Sequence, residues 1–158
     1  MRVIGIDVGF KGAIALLGSK VDGVVMMPVA KGEKIYLDLP MIVGRLEMYQ
    51  PDLVVIEKVS AMPKQGVTSV FRFGEQFGMI QGICSALNLP YILVRPQEWK
   101  KKILVGYPKG DKSASIRYVK QKYPHISLLP TKRSKKDSDG MADAICIAEY
   151  GLKYDNRG

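Results

Sequence analysis

Hydrophobic and polar positions alternate in a way that lays out most of the secondary structure before any motif is considered. The segment Arg2–Val8 is rich in Val and Ile and predicts a buried strand, and Ala13–Leu17 predicts its neighbour. Gly9 and Gly12 flank Phe10-Lys11 between them and allow a tight return. After a turn at Gly18–Asp22, Gly23–Val29 reads as a third strand, completing an antiparallel meander, and Ala30–Lys34 reads as a charged loop. Asp38 is placed to cap a helix with apolar positions Ile42, Leu46 and Tyr49 and with Pro40 in its first turn. Gln50-Pro51-Asp52 stops that helix, and Leu53–Glu57 is a continuous apolar run ending in an acid, the pattern of a buried parallel strand.

Beyond the loop Lys58–Gly66, the spacing predicts a long helix over Thr68–Leu87, with Val70, Phe73, Phe77, Ile80, Cys84 and Leu87 on its apolar stripe. Gly74, Gly78 and Gly82 form a second stripe at four-residue steps. Each glycine costs roughly 1 kcal/mol of helix propensity relative to alanine. Three in register therefore imply a close backbone neighbour, with another helix of the same chain slightly favoured over a second subunit. Pro90–Val94 predicts a strand and Pro96–Leu104 a short helix. A turn over Val105–Gly110 leads to a basic helix that Asp111 caps and that runs to Tyr123. A polar loop, Pro124–Asp137, precedes a last helix over Ser138–Tyr154. Strands and helices in this order make an α/β domain with a mixed sheet, and 158 residues suffice for one domain, 1–158, with a real core.

Composition narrows the function classes. No run approaches the roughly 20 apolar residues that span a bilayer, Asp7 interrupts any export-signal core, and no membrane association is expected. Cys84 and Cys146 lie in apolar helical contexts and read as reduced core thiols of a cytoplasmic protein. With His125 as the single histidine and no Cys/His ligand spacing, a zinc site is not expected. The net charge of +9 is unevenly distributed. Between Arg95 and Lys136 thirteen Lys or Arg face two acids, a local charge of +11 that favours a polyanionic partner, most simply nucleic acid.

Against this basic background the acids stand out. Asp7 and Glu57 each close an apolar strand, and they meet at one sheet edge if those strands are neighbours. Asp139 and Asp143 are four apart at the start of the last helix and share one face, with Asp137 just before it. Taken singly, Asp7 suits a turn, Asp139 a cap and Asp143 a solvated face. Taken together, several carboxylates without imidazole or thiol make a hard-oxygen site suited to Mg²⁺ or Mn²⁺. Two such ions serve phosphodiester hydrolysis, the chemistry that uses both the acids and the basic segment.

Three segments, Ile-Gly-Ile-Asp-Val-Gly at 4–9, Val-Val-Ile-Glu at 54–57 and Asp-Gly-Met-Ala-Asp-Ala at 139–144, resemble the RuvC family of Holliday-junction resolvases within the RNase H-like superfamily. The resemblance runs through essentially the whole chain. It implies an RNase H-like fold with a five-stranded mixed sheet flanked by helices, and a homodimer acting on branched DNA, in a bacterial or phage-infected cell. By the same resemblance Asp7, Glu57, Asp139 and Asp143 hold two Mg²⁺ (or Mn²⁺), with Asp137 in reserve as fourth ligand. Lys112 and, less specifically, Lys101 match basic residues near the scissile phosphate. Lys100, Lys102, Lys109, Arg117, Lys132, Arg133, Lys135 and Lys136 are the candidate DNA-backbone contacts.

Two departures from the bacterial pattern are visible. The last two acids are four rather than three residues apart, a spacing that resembles viral members, and Lys58–Gly66 lacks the aromatic residue that follows the glutamate in the bacterial enzymes. Nucleases acting on RNA or flaps, and a non-catalytic binder of branched DNA, are the alternatives. A sugar-kinase or actin-like ATPase also suits the Ile-Asp-x-Gly opening, but it needs two such domains.

Overall fold

The computed structural model describes residues 1–155; residues 156–158, which the sequence reading includes in the domain, lie outside the described residues. Its centre is a five-stranded mixed sheet in the order β3-β2-β1-β6-β7. The antiparallel meander is β1 (Val3–Asp7), β2 (Ala13–Leu17) and β3 (Gly23–Met26). Strand β6 (Leu53–Glu57) then runs parallel to β1, with Ile6 opposite Ile56, and β7 (Tyr91–Val94) runs parallel to β6. The expected adjacency of the strands carrying Asp7 and Glu57 is therefore observed.

The period-2 geometry of the strands divides the core into two. Ile4, Ile6, Val54 and Ile56 point to one face, where they pack with Ile42 and Leu46 of α1 (Leu39–Tyr49) and Ile80 and Cys84 of α2 (Val67–Ala86). Val3 and Val55 point to the other, where α3 (Pro96–Ile103), α4 (Ala114–Lys122) and α5 (Asp139–Asp155) cover the sheet. Asp7 and Glu57 share the parity of Val3 and Val55, so both carboxylates lie on the α5 side.

Helix α5 lies unusually close to β1. A Cβ added at Gly5 would stand 2.2 Å from the Ala144 carbonyl oxygen and 2.3 Å from the Ala148 nitrogen. At Gly140 it would stand 2.3 Å from the Lys11 carbonyl oxygen. Only glycine at these places lets helix and strand backbones meet.

Several local expectations need correction. Strand β3 stops at Met26, and Val29–Lys31 (β4) pairs with Ile35–Leu37 (β5) as a separate hairpin where a loop was expected. Pro28 ends the donor pattern of the third strand, and Gly32 lies in the reversal, inside what composition marked as loop. Asp38 does cap α1, accepting from the Met41 N–H at 3.1 Å. Asp111, by contrast, is not the cap of α4; Ser113 holds that position, and the Asp111 carboxylate takes the Ser113 N–H and hydroxyl and pairs with Arg117. The glycine stripe of α2 is not an intrachain contact either: a Cβ at Gly74, Gly78 or Gly82 would meet nothing within 4 Å. Phe73, assigned to the apolar stripe, is 37% exposed, and buried Gln76 takes a place in the covered face.

Glu149 of α5 is buried at 2% exposure yet stays ionised. Burial opposes its charge, but hydrogen bonds from Lys122, Tyr118 and Lys153 outweigh burial and hold its pKa below the usual value. These contacts pin α4 to α5 beneath the basic surface.

Candidate metal and nucleic-acid site

Three acids from three elements converge at the C-terminal end of β1. Asp7 closes β1, Glu57 closes β6 and Asp143 lies in the second turn of α5. Each side chain retains some contact with solvent, but the surrounding protein strips most of its hydration. Burial is the largest influence on Asp7 and, with repulsion from Glu57 and Asp143, pushes its pKa up to about 8, against a smaller opposing pull from Lys100. Glu57 and Asp143 are raised as well, again chiefly by burial. Such mutual destabilisation is the electrostatic signature of a site built for added positive charge.

The carboxylates are individually held. The Trp99 indole, fully buried, donates its Nε1–H to Glu57 Oε2 at 2.6 Å. Ser115, 5% exposed at the start of α4, hydrogen-bonds Asp143. Gly140 supplies the space for Asp7: a Cβ there would approach Asp7 Oδ2 to 3.2 Å. The donor set is all oxygen, which fits Mg²⁺ or Mn²⁺ and not a thiophilic ion. Among the described residues, no three ligating side chains are already drawn in tightly enough to enclose one ion.

Asp139, exposed at the first position of α5, adds a small repulsive influence on Asp143 and so lies on the same side of the cluster. Asp137 is engaged elsewhere, paired with Lys120. Lys100 is the cation that lowers the pKa of all three central acids, with its Nζ 5.4 Å from the Trp99 ring centroid. Lys101 and Lys112 are exposed. Lys102 turns away onto α5, donating to the Lys153 carbonyl at 3.0 Å and lying 5.0 Å from the Tyr150 ring centroid. Arg117 is occupied by Asp111, whereas Lys109, Lys132, Arg133, Lys135 and Lys136 are exposed on loops.

Trp99 and Ser115 were absent from the sequence-based set, as was the close coupling of Lys100 to the acids. Trp99 carried a usable signal, since a lone tryptophan in a helix with a core face needs an acceptor for its N–H. Ser115 carried none.

No protein-family model matches the sequence, and no curated protein is significantly similar to it. Solved structures are more informative. Thermus thermophilus RuvC superimposes with a TM-score of 0.64 at 18% identity, covering 100% of this chain and 97% of that one. The fold is RuvC-like. Thermus thermophilus RuvC has also been solved in complex with Holliday junction substrate, with a TM-score of 0.63 at 16% identity. The fowlpox virus Holliday junction resolvase gives 0.56 at 20% identity, with 100% of both chains covered. At these identities the likeness is one of fold, and the five-stranded mixed sheet expected from the sequence is the shared element.

The carboxylate repulsion predicts how the metal-free protein responds to pH. The folded-state pKa of Asp7, about 8, exceeds the roughly 3.9 of an unfolded aspartate. The native state therefore holds the extra proton, and the destabilisation is absent below the unfolded value, grows as pH rises and is complete above the folded one. Asp7→Asn should raise the stability of the metal-free protein at pH 8.5 by on the order of 1–3 kcal/mol and leave it nearly unchanged at pH 4. Urea unfolding at both pH values in a chelator checks this; a variant less stable than wild type at pH 8.5 contradicts it.

Proposed function

We propose that the chain is a divalent-metal-dependent endonuclease of branched DNA that resolves four-way (Holliday) junctions. The observation that supports this most strongly is the convergence of Asp7, Glu57 and Asp143 beside a +11 segment. Carboxylates alone would repel a phosphodiester; with cations between them they become a phosphate site. Asp7, Glu57, Asp139 and Asp143 would hold two Mg²⁺, with Mn²⁺ as a substitute. When bound, these ions supply activation of a water nucleophile and neutralise charge on the leaving oxygen.

The chain's own groups do the rest. Trp99 fixes the rotation of the Glu57 carboxylate, and Ser115 does so for Asp143. Lys100 balances the cluster and, with Lys112 and Lys101, stabilises negative charge on the phosphate. Gly9, at φ +128°, and Gly12, where a Cβ would strike the Asp7 carbonyl, let the chain turn tightly directly after Asp7. Lys109, Lys132, Arg133, Lys135 and Lys136 hold the backbone beyond the site, a role in which Arg117 is constrained by Asp111 and Lys102 by α5. The solved complex of Thermus thermophilus RuvC with Holliday junction substrate supports the choice of a junction over a linear duplex.

Symmetric resolution calls for two such sites in a homodimer. The glycine face of α2, open along Gly74, Gly78 and Gly82, is the surface we assign to the second copy. Gly78→Arg should convert the dimer to a monomer in gel filtration with light scattering; an unchanged dimer contradicts that surface.

Activity is tested on a four-way junction, a Y-junction, duplex DNA and an RNA–DNA hybrid at one stated salt concentration, because phosphate binding depends steeply on salt. Wild type should nick the four-way junction in Mg²⁺, and Asp7→Asn should lose on the order of 10³-fold or more in rate while binding the junction as tightly. Undiminished cleavage by Asp7→Asn overturns the assignment. Preference for the hybrid or Y-junction favours an RNA or flap nuclease, and tight binding without cleavage by wild type favours a non-catalytic binder.

A further inference from the structure

Strand β3 is an outer strand of the sheet, and along it runs a groove that plays no part in the reading above. The groove, of about 330 Å³, lies between β3 and residues 125–130, with buried Met141 of α5 at its floor. It shares no lining residue with the glycine face of α2.

Register decides which backbone groups face this groove. The Met27 N–H donates to the Gly12 carbonyl at 2.9 Å, directly beyond the pairing of Met26 with Ala13. Bonded and non-bonded pairs alternate along an antiparallel ladder, so Val25 bonds across to Ile14 while Val24 and Met26 turn their N–H and C=O groups outward. Among the described residues, none hydrogen-bonds these outward groups. They repeat at the two-residue step of a strand and sit among apolar side chains that include Ile126, Leu129 and Met141. An edge strand is ordinarily kept from pairing by charge, proline or a covering element. The sequence of β3, Gly-Val-Val-Met, has neither charge nor proline, and residues 125–130 stand across the groove without bonding to it.

The two ends of the groove differ in charge. Asp22 precedes β3 at one end. At the other, the Ser138 hydroxyl donates to the Met26 sulfur at 3.5 Å and the Ser138 N–H to the Leu128 carbonyl at 2.8 Å. That pair roots, beside Met26, the loop bearing Lys132, Arg133, Lys135 and Lys136.

We infer that the β3 edge is a docking site for an extended segment of a partner protein, apolar at alternate positions and acidic at the end that lies beside Met26. The segment would add a further strand to the sheet: backbone bonds to Val24 and Met26 supply affinity, the groove takes alternate side chains, and the loop cations fix its direction. A polynucleotide suits the groove poorly, since its phosphates would meet apolar walls and Asp22, and it carries no donor–acceptor pairs at the repeat of a strand. A second copy is assigned above to α2, which packs on the opposite face of the sheet from Met141. The inference goes beyond the nuclease reading and does not depend on it.

Amide hydrogen exchange on the full chain tests this. The probes are synthetic peptides of alternating Val and Thr with a Glu run at the N-terminus or at the C-terminus. In the free protein the Val24 and Met26 amides should exchange readily while the Val25 amide is protected. One of the two probes should slow exchange at Val24 and Met26 by at least about tenfold. The same peptide with alternate backbone nitrogens methylated, or with Lys in place of Glu, should bind at least about tenfold more weakly by fluorescence anisotropy. Val24→Pro removes one outward donor at a place where an edge strand accepts proline, and it should weaken the Glu-ended probe by a similar factor; exchange on wild type carries the test if that variant does not fold. Protection of Val24 and Met26 in the free protein, no protection from either probe, or equal binding of the methylated or Lys-ended peptide would overturn the inference. So would protection that appears with rising protein concentration alone, which gives the edge to a second copy, or with a four-way junction in place of peptide, which gives it to DNA. None of these readouts involves cleavage, so the nuclease reading stands or fails separately.

Discussion

Everything in this molecule depends on the contact of α5 with β1 at backbone distance. Gly5 on the strand faces Ala144 and Ala148 on the helix, Gly140 faces the turn after Asp7, and a Cβ at Gly151 would come within 2.6 Å of Val3 and Val55. This run of small residues removes the side-chain layer that ordinarily separates helix from sheet. The helix start therefore arrives beside the ends of β1 and β6, and Asp143 reaches Asp7 and Glu57. A bulkier residue at Gly5 or Gly140 would push α5 outward and separate the acids, so the same packing that closes the core also assembles the site.

Assembly in this form is electrostatically unfavourable, and the surroundings show how that is contained. Trp99 and Ser115 donate to two of the acids, and Lys100 offsets all three. None of these removes the strain, since all three acids stay raised above their ordinary pKa values. The folded chain retains a local excess of negative potential inside a basic protein. That opposition of a small anionic centre to a broad cationic surface is what phosphate chemistry with divalent ions requires. A protein selected for stability alone would have replaced one of these acids.

Much of this was legible in the sequence, for identifiable reasons. Strong apolar runs ending in acids located β1 and β6 and put Asp7 and Glu57 at one sheet edge if those strands were neighbours; that they are neighbours, and which face the acids share, came from the register of the folded sheet. The four-residue step from Asp139 to Asp143 was readable as one helical face. What failed were features set by tertiary context. The β4–β5 hairpin has too few residues to show a periodic pattern, and Gly32 with the charges around it marked Ala30–Lys34 as loop. The glycines of α2 signalled a close neighbour but not which one, and the chain leaves them open. The run Lys100-Lys101-Lys102 could not be resolved by pattern, because only the rotation of α3 sends Lys100 to the acids and Lys102 to α5. Gln76 fell within a helix whose stripe was read as wholly apolar, and its burial emerges only from packing.

On our reading the three converging acids, with Asp139, are a site for divalent cations. Its most direct test is a count of bound Mn²⁺ by electron paramagnetic resonance, with no DNA and no activity readout. Wild type should bind two ions per chain, Glu57→Gln and Asp143→Asn should each lose at least one, and Asp137→Asn should be unchanged. Binding that is equal in wild type, Glu57→Gln and Asp143→Asn, or no binding by wild type at millimolar Mn²⁺, would contradict it.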